Sequence, residues 1–321
     1  MLNRLLILLF ICIIILCFYK NNKTEEGFTD NNNNNKKTTI VFSLTCHECP
    51  ECVVDLIKNV DHCFNDFNNI ILISTTQSME PKLKTAFKEQ REAIFNNIRF
   101  VTVRDDSLKV WGNIELFQQH ILTMKYIIEN NIRCDYFWFL ASNEYFIKKV
   151  TPSVFNNINS CKKKFPYSDK ELDEFYDKYV NTESLFEWDN RVRKDPYIID
   201  TLKDNKIKIS NIPHESFVLT ENLMKEIYEK YTSFKIYEKS TLKDIAMEEI
   251  FVISYLRSKY DCELKNFCKR IWAHIEYNSL PSNEAVLAKA LTDDEILSLK
   301  PLKRAMDCPI RKLIKDHLGT A

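Results

Sequence analysis

From Val101 to Ile147 the sequence reads as a strand, a glycine turn, an amphipathic helix and an aromatic strand, and this order constrains the fold more than any other stretch. Ile114, Phe117, Ile121, Met124 and Ile128 recur at helical spacing, and Tyr136 to Leu140 follows as an apolar run of strand length. The strand ends in Ser142-Asn143-Glu144, and a polar tripeptide where a buried strand stops is where open α/β sheets place ligands. The chain has three glycines, and Gly27 and Gly319 lie near its ends. Gly112 is therefore expected to meet a backbone need, a positive φ or close approach to a ligand.

The flanking sequence extends the pattern. Thr39 to Leu44, Ile70 to Ser74 and Ile98 to Val103 read as strands, with a helix from about Pro50 to Val60. Strands alternating with helices imply a largely parallel sheet. Ser160 to Asn205 is charged and aromatic without clear period and reads as a long insertion or loop region. Asn211 to Thr220 reads as a strand, followed by helices over about Glu221 to Tyr231 and Leu242 to Tyr260. Together these elements suit an α/β fold with a mixed, mostly parallel sheet flanked by helices.

Arg104, then Trp111-Gly112, then Leu140-Ala141-Ser142-Asn143-Glu144-Tyr145-Phe146-Ile147 stand in an order that resembles the core-2/I-branching glycosyltransferases. In that family a strand with an Arg, a Trp-Gly, a helix and a strand ending in Leu-Ser-Gly-x-Asp-x-Pro follow one another. Here Ser142 replaces the Gly, Glu144 the Asp and Phe146 the Pro, so the resemblance is to a distant relative. It implies a GT-A-like, Rossmann-related fold and inverting sugar transfer from a UDP-sugar, of the N-acetylglucosamine or xylose class, to a glycan or glycoprotein hydroxyl. It also implies that Arg104, Trp111 and Gly112 belong to the donor side. Ser142, Asn143 and Glu144, with His214 and Glu215, are the acceptor or sugar contacts on this reading. Trp111 is either a core residue or a sugar-stacking platform.

Leu5 to Tyr19 is an unbroken apolar run of 15 residues between Arg4 and Lys20. At 1.5 Å per residue it reaches about 22 Å, enough for a thin bilayer with snorkelling ends. Residues 1–20 are thus expected to form a transmembrane signal anchor, with a cleaved signal peptide or a buried helix as the alternatives. Residues 21–37, with five consecutive Asn, cannot bury apolar surface and read as a disordered linker to a glycosyltransferase domain over 38–321. The resemblance implies a single-pass type II membrane protein with its catalytic domain in a Golgi- or ER-like lumen. Lys+Arg and Asp+Glu both number 45, so no global field recruits nucleic acid.

Cys46, Cys49, Cys52, Cys63, Cys134, Cys161, Cys262, Cys268 and Cys308 lie outside the apolar run. In a lumen they would form up to four disulfides. Cys46, Cys49 and Cys52, between a strand and a helix, also admit a thiol oxidoreductase or a zinc site, against structural disulfides or inert thiols. The oxidoreductase and a catalytically dead sugar-binding domain are the alternatives to transfer.

On a helix over Leu242 to Tyr260, Leu242, Ile245, Ala246, Ile253 and Leu256 share one face with Glu249 at its centre, while Glu248 points about a quarter turn away. An inward, partly desolvated carboxylate suits general-base work. Glu249, with Glu248 as alternative, is the expected base, and Met247-Glu248-Glu249-Ile250-Phe251 resembles the family's Pro-Asp-Glu-x-x-Trp motif. No Asp-x-Asp ends a hydrophobic strand, so metal-independent transfer is expected. Lys300, Lys303, Arg304 and Arg311 would then neutralise the diphosphate, as basic side chains do in the family, unless they form a solvated tail. The other expectation for Ser142-Asn143-Glu144 is a metal site.

Overall fold

The computed structural model describes residues 37–106, 112–159, 161–182, 187–210, 217–261, 263, 267, 270–272, 284–294 and 296–320. The expected anchor, the linker up to residue 36, Trp111, His214 and Glu215 lie outside the described residues. Among the described residues no helix is long and apolar enough to cross a membrane.

β1 (Thr39–Thr45), β2 (Asn68–Thr76), β3 (Ile98–Arg104) and β4 (Tyr136–Ala141) run parallel, and β6 (Val218–Thr220) joins antiparallel to β4. Their order is β3-β2-β1-β4-β6. The chain moves outward from β1 through β2 and β3, then returns to the other side of β1 to lay down β4. The topological switch point therefore falls between the carboxyl ends of β1 and β4. Ile40 to Leu44 and Phe137 to Ala141 are buried throughout, as strands covered on both faces must be. This bears out the mostly parallel sheet.

Helices α1 (Pro50–Cys63), α2 (Glu80–Lys88) and α3 (Ile114–Glu129) form the crossovers. Asn113 caps α3 by accepting from Glu115 N at 2.9 Å, which starts the helix directly after Gly112. Phe117 on α3 stacks over Phe139 of β4 and meets Tyr231 edge-on, so the apolar stripe faces the sheet as its spacing implies. A smaller sheet joins β5 (Tyr145–Phe146), β8 (Ser298–Lys300) and β7 (Arg270–Trp272), in the order β5-β8-β7. It brings the C-terminal region back to the end of β4.

Two expectations about elements are corrected. The stretch read as a loop region carries α4 (Asp169–Asn181), α5 (Glu187–Val192) and α6 (Pro196–Asp204). Ser168 and Glu171 form a capping box, Asp195 caps α6, and Leu172, Tyr176 and Tyr179 supply the buried face. The long helix expected over Leu242 to Tyr260 is instead an irregular segment, a single 3-10 turn at Met247–Glu249 and a short α8 (Phe251–Lys259). Tertiary hydrogen bonds hold the segment open. Ile114 N donates to Lys243 O at 2.8 Å, and the buried carboxylate of Asp195 accepts from Ser240 Oγ at 2.6 Å and Thr241 N at 3.0 Å. The strand expected from Asn211 begins, among the described residues, only at Val218. Helix α7 spans Glu221–Phe234, close to its expected place, and α9 (Glu284–Thr292) and α10 (Pro309–Leu318) complete the C-terminal part.

Candidate active site

The carboxyl ends of β1, β3 and β4 carry Cys46-His47-Glu48, Arg104 and Ser142-Asn143-Glu144 respectively. Arg304 comes from the segment between β8 and α10 and spans the switch point. Its Nη1 donates to Glu48 Oε1 at 2.5 Å and its Nε to Ser142 Oγ at 3.2 Å. Leu302 N donates to Asn143 O at 2.8 Å, which pins this segment onto the loop after β4. A guanidinium carries five donors, and these two contacts leave others for an anion. Lys303, its neighbour, is exposed.

Arg104 closes β3 and is buried. Burial lowers its pKa, opposed by the charges of Glu115, Cys46 and Asp106, so its side chain lies within reach of the β1 end and the first turn of α3. His47 feels both cations. Burial lowers its pKa, Arg304 and Arg104 add to the drop, and Glu48 opposes it. Arg104, at the end of β3, and Arg304, from the segment after β8, thus both act on His47.

Three donor-side and acceptor-side expectations fail here. Arg311 is buried and turned away. Its Nη1 donates to Asp55 Oδ2 at 2.7 Å, Lys315 holds the other oxygen at 2.5 Å, and the guanidinium lies 4.8 Å from the centre of the Tyr145 ring. The arrangement fastens α10 to α1 and keeps Arg311 in the interior, at 1% exposure. Lys300 is likewise buried in β8 and makes contacts within the fold, so it is not part of an open basic run. Glu144 is wholly buried, with its carboxylate accepting from Ala141 N at 3.4 Å and from Ser298 Oγ. It braces the turn after β4 and is closed to a sugar or a metal. Ser142 keeps its place at the strand end, but its hydroxyl serves Arg304.

Gly112 adopts φ +65°, and a Cβ there would stand 2.3 Å from Cη2 of Trp188. Both backbone needs are present, yet the group that approaches is an indole of the helical insert and not a ligand. The insert also reaches the second half of the site, because Arg191 donates to Asp244 O at 2.8 Å and to its carboxylate at 2.5 Å. Glu248 and Glu249 follow in the 3-10 turn, with Glu249 N donating to Ala246 O at 3.0 Å. Both are buried, at 2% and 8% exposure, so the helical face that singled out Glu249 does not separate them. Glu248 is the charge that most raises the Tyr231 phenol after burial itself, so it lies near α7. Glu249 is the carboxylate left nearer the surface. The turn is tied through Lys243 O to the start of α3, the helix that leaves the carboxyl edge of the sheet.

Glu48 was not among the residues singled out in the sequence. Its signal is positional, since it follows β1 as Ser142 follows β4, on the opposite side of the switch point.

The described cysteines include both free thiols and a disulfide-bonded one, as the reading of structural disulfides or inert thiols allows. Cys46, Cys49, Cys52, Cys63, Cys134 and Cys308 are free thiols, while Cys161 is in a disulfide; Cys262 and Cys268 lie outside the described residues. Burial pushes the Cys46 and Cys52 thiols up to about 12, so neither of these two is a ready nucleophile. A groove of about 720 Å³ runs along α1 and α2, lined by Asp55, Lys58 and Asp61 among others. None of the residues at the strand ends lines it, and the strand ends are where sheets of this topology take their ligands.

No protein-family profile and no curated relative matches this sequence. Among solved structures the chain is similar to the galactosyltransferase LgtC in complex with donor and acceptor sugar analogs, with a TM-score of 0.44 at 10% identity over 88% of this chain and 96% of that one. A second LgtC structure, of an active-site mutant, gives a TM-score of 0.44 at 12% identity with the same coverage. The mannosyltransferase Ktr4p from S. cerevisiae in complex with GDP gives 0.30 at 16% identity, over 70% of this chain and 66% of that one. At these values the chain has to be read from its own residues.

Proposed function

We propose that this chain is an inverting glycosyltransferase, a distant relative of the core-2/I-branching enzymes, that moves a sugar from a UDP-sugar to a glycan or glycoprotein hydroxyl. The observation that carries the reading is Arg304 lying across the switch point between β1 and β4, with Arg104 acting on the same crevice. In open α/β sheets a ligand binds at that place, and two guanidinium groups there suit a diphosphate. Lys303, exposed beside Arg304, adds a third cation at the crevice mouth.

Glu249 takes the proton of the acceptor hydroxyl as its oxygen attacks the anomeric carbon. The bond from that carbon to the β-phosphate oxygen breaks on the opposite face, and its electron pair leaves with UDP. Arg304 and Arg104 hold the charge that develops there, the part that a metal plays where carboxylates supply one. The donor sugar is of the N-acetylglucosamine or xylose class, and His214 and Glu215 belong to the acceptor side. Leu5 to Tyr19 anchors the chain as a type II membrane protein with the catalytic domain in a secretory lumen.

A thermal-shift screen against UDP-sugars, with and without EDTA, tests the reading. A true donor at 100 times its Kd adds about 2.7 kcal/mol of stability. Stabilisation that survives EDTA supports fixed cations. No response to any nucleotide sugar removes the reading, and a response that requires a divalent ion removes its metal-independent form.

A further inference from the structure

The donor crevice leaves one sequence motif unused: Cys49-Pro-Glu-Cys52, which directly follows Glu48. Cys49 is the N-cap of α1, held at φ 51°, and Cys52 is the third residue of the helix. The two cysteines therefore stand three residues apart in the first turn of the helix, and the Cys49 side chain makes no cap hydrogen bond. Neither sulfur is in a disulfide. Cys49 is partly exposed, whereas Cys52 is 1% exposed. Cys46, the third sulfur of the cluster, is buried directly after β1.

We propose that Cys49 and Cys52 form a redox modification site, a dithiol that closes to an intramolecular disulfide by exchange with a small-molecule disulfide such as oxidised glutathione. Exposure sets the order of events. The Cys49 thiolate attacks one sulfur of the oxidant, the S–S bond breaks, and one glutathione thiolate leaves. The deprotonated Cys52 then attacks Cys49 Sγ, forming the internal disulfide and releasing the second glutathione. Two electrons pass from the cysteines to the oxidant, and the two thiol protons end on two glutathione molecules.

The surroundings bear on that second step. Burial raises the Cys52 thiol most and persists through the exchange, while the smaller contribution of the neighbouring Cys49 is lost once Cys49 is capped. The charge of Arg311, which favours the Cys52 thiolate, remains. Glu51, whose carboxylate accepts from the Cys49 thiol at 4.0 Å, opposes the first step, against the positive end of the 14-residue helix. The site thus sits one residue from the Glu48 that holds Arg304.

The test equilibrates the folded full chain in glutathione buffers of graded redox poise, quenches in acid, alkylates free thiols and maps peptides. Expected is an internal Cys49–Cys52 disulfide that appears as the buffer becomes oxidising, while Cys63 and Cys134 stay reduced. Cys52→Ser should stop at a glutathione adduct on Cys49, and Cys49→Ser should leave Cys52 unmodified. Both thiols alkylated at every poise, an adduct on wild-type Cys49 that never resolves, or pairing of either thiol with Cys46 would each overturn the proposal. The readout involves no nucleotide, so it stands separately from the donor site.

Discussion

Trp188 stands against Gly112 so closely that a Cβ at that position would lie 2.3 Å from the indole. The contact joins the helical insert to the turn that starts α3, and α3 in turn holds the segment that carries Glu248 and Glu249. Through it, a region remote in sequence is tied to the start of α3 and, by the Ile114–Lys243 bond, to the segment that carries the two carboxylates.

Gly112→Ala should therefore be costly. The positive φ costs about 1 to 3 kcal/mol for a residue with a Cβ, and overpacking against Trp188 adds about 1 to 3 kcal/mol. Urea unfolding measures the sum. A wild-type midpoint for Gly112→Ala would show that neither the φ nor the indole contact is as described.

Arg311→Ala should destabilise without touching the donor. Removing one partner of a buried pair costs about 3 to 5 kcal/mol, because the remaining charge is left in the interior. Lys315 still reaches Asp55, which places the cost toward the lower end. Replacing Arg311 and Asp55 together by Leu should recover most of the loss. A stable Arg311→Ala that binds UDP poorly would return Arg311 to the phosphate site.

Glu249→Gln should lower transfer by about 10²- to 10⁴-fold, the usual contribution of a general base, with donor affinity unchanged. Glu248→Gln should mainly lower stability, since that carboxylate is buried near Tyr231. Initial-rate assays and melting curves on both variants separate the two effects. The reverse pattern would make Glu248 the base.

The crevice should also bind protons with its ligand. Burial, Arg304 and Arg104 hold His47 below its usual range, and a diphosphate seated on those cations would relieve the depression. Binding of UDP-N-acetylglucosamine then takes up protons, and affinity rises as pH falls below about 6.5 toward the depressed value. Stability of the free protein runs the other way. A depressed histidine pKa favours the fold above about 6.5, and that contribution is lost as pH falls through the depressed value. Titrations across this range should show the slope in the wild type and a flat response in His47→Gln. An unchanged slope in the variant would place the titrating group elsewhere.

The sheet was legible because its strands are continuous apolar runs and its first helices carry clean stripes. Leu242 to Tyr260 misled because burial at Ile245, Ala246, Ile253 and Leu256 fits a helical wheel equally well when the backbone is irregular. Hydrogen bonds to Asp195, 45 residues before Ser240, and from the distant Ile114 decide the matter. The insert carried readable signals, the capping pair Ser168 and Glu171 and the Asp195-Pro196 start, hidden by its charge. Arg311 could not be placed at all from sequence, for its partner Asp55 lies 256 residues away. Nor could Arg304 and Arg311 be told apart, since both belong to one basic stretch.

The most direct measurement is a calorimetric titration of UDP and of uridine into the wild type, Arg304→Ala and Arg311→Ala. A charged hydrogen bond is worth about 1.5 to 3 kcal/mol, so Arg304→Ala should weaken UDP binding by about 10- to 150-fold. Uridine, without phosphates, should bind all three alike, and Arg311→Ala should bind UDP as the wild type does. Wild-type UDP affinity in Arg304→Ala would contradict a donor diphosphate seated at the switch point between β1 and β4.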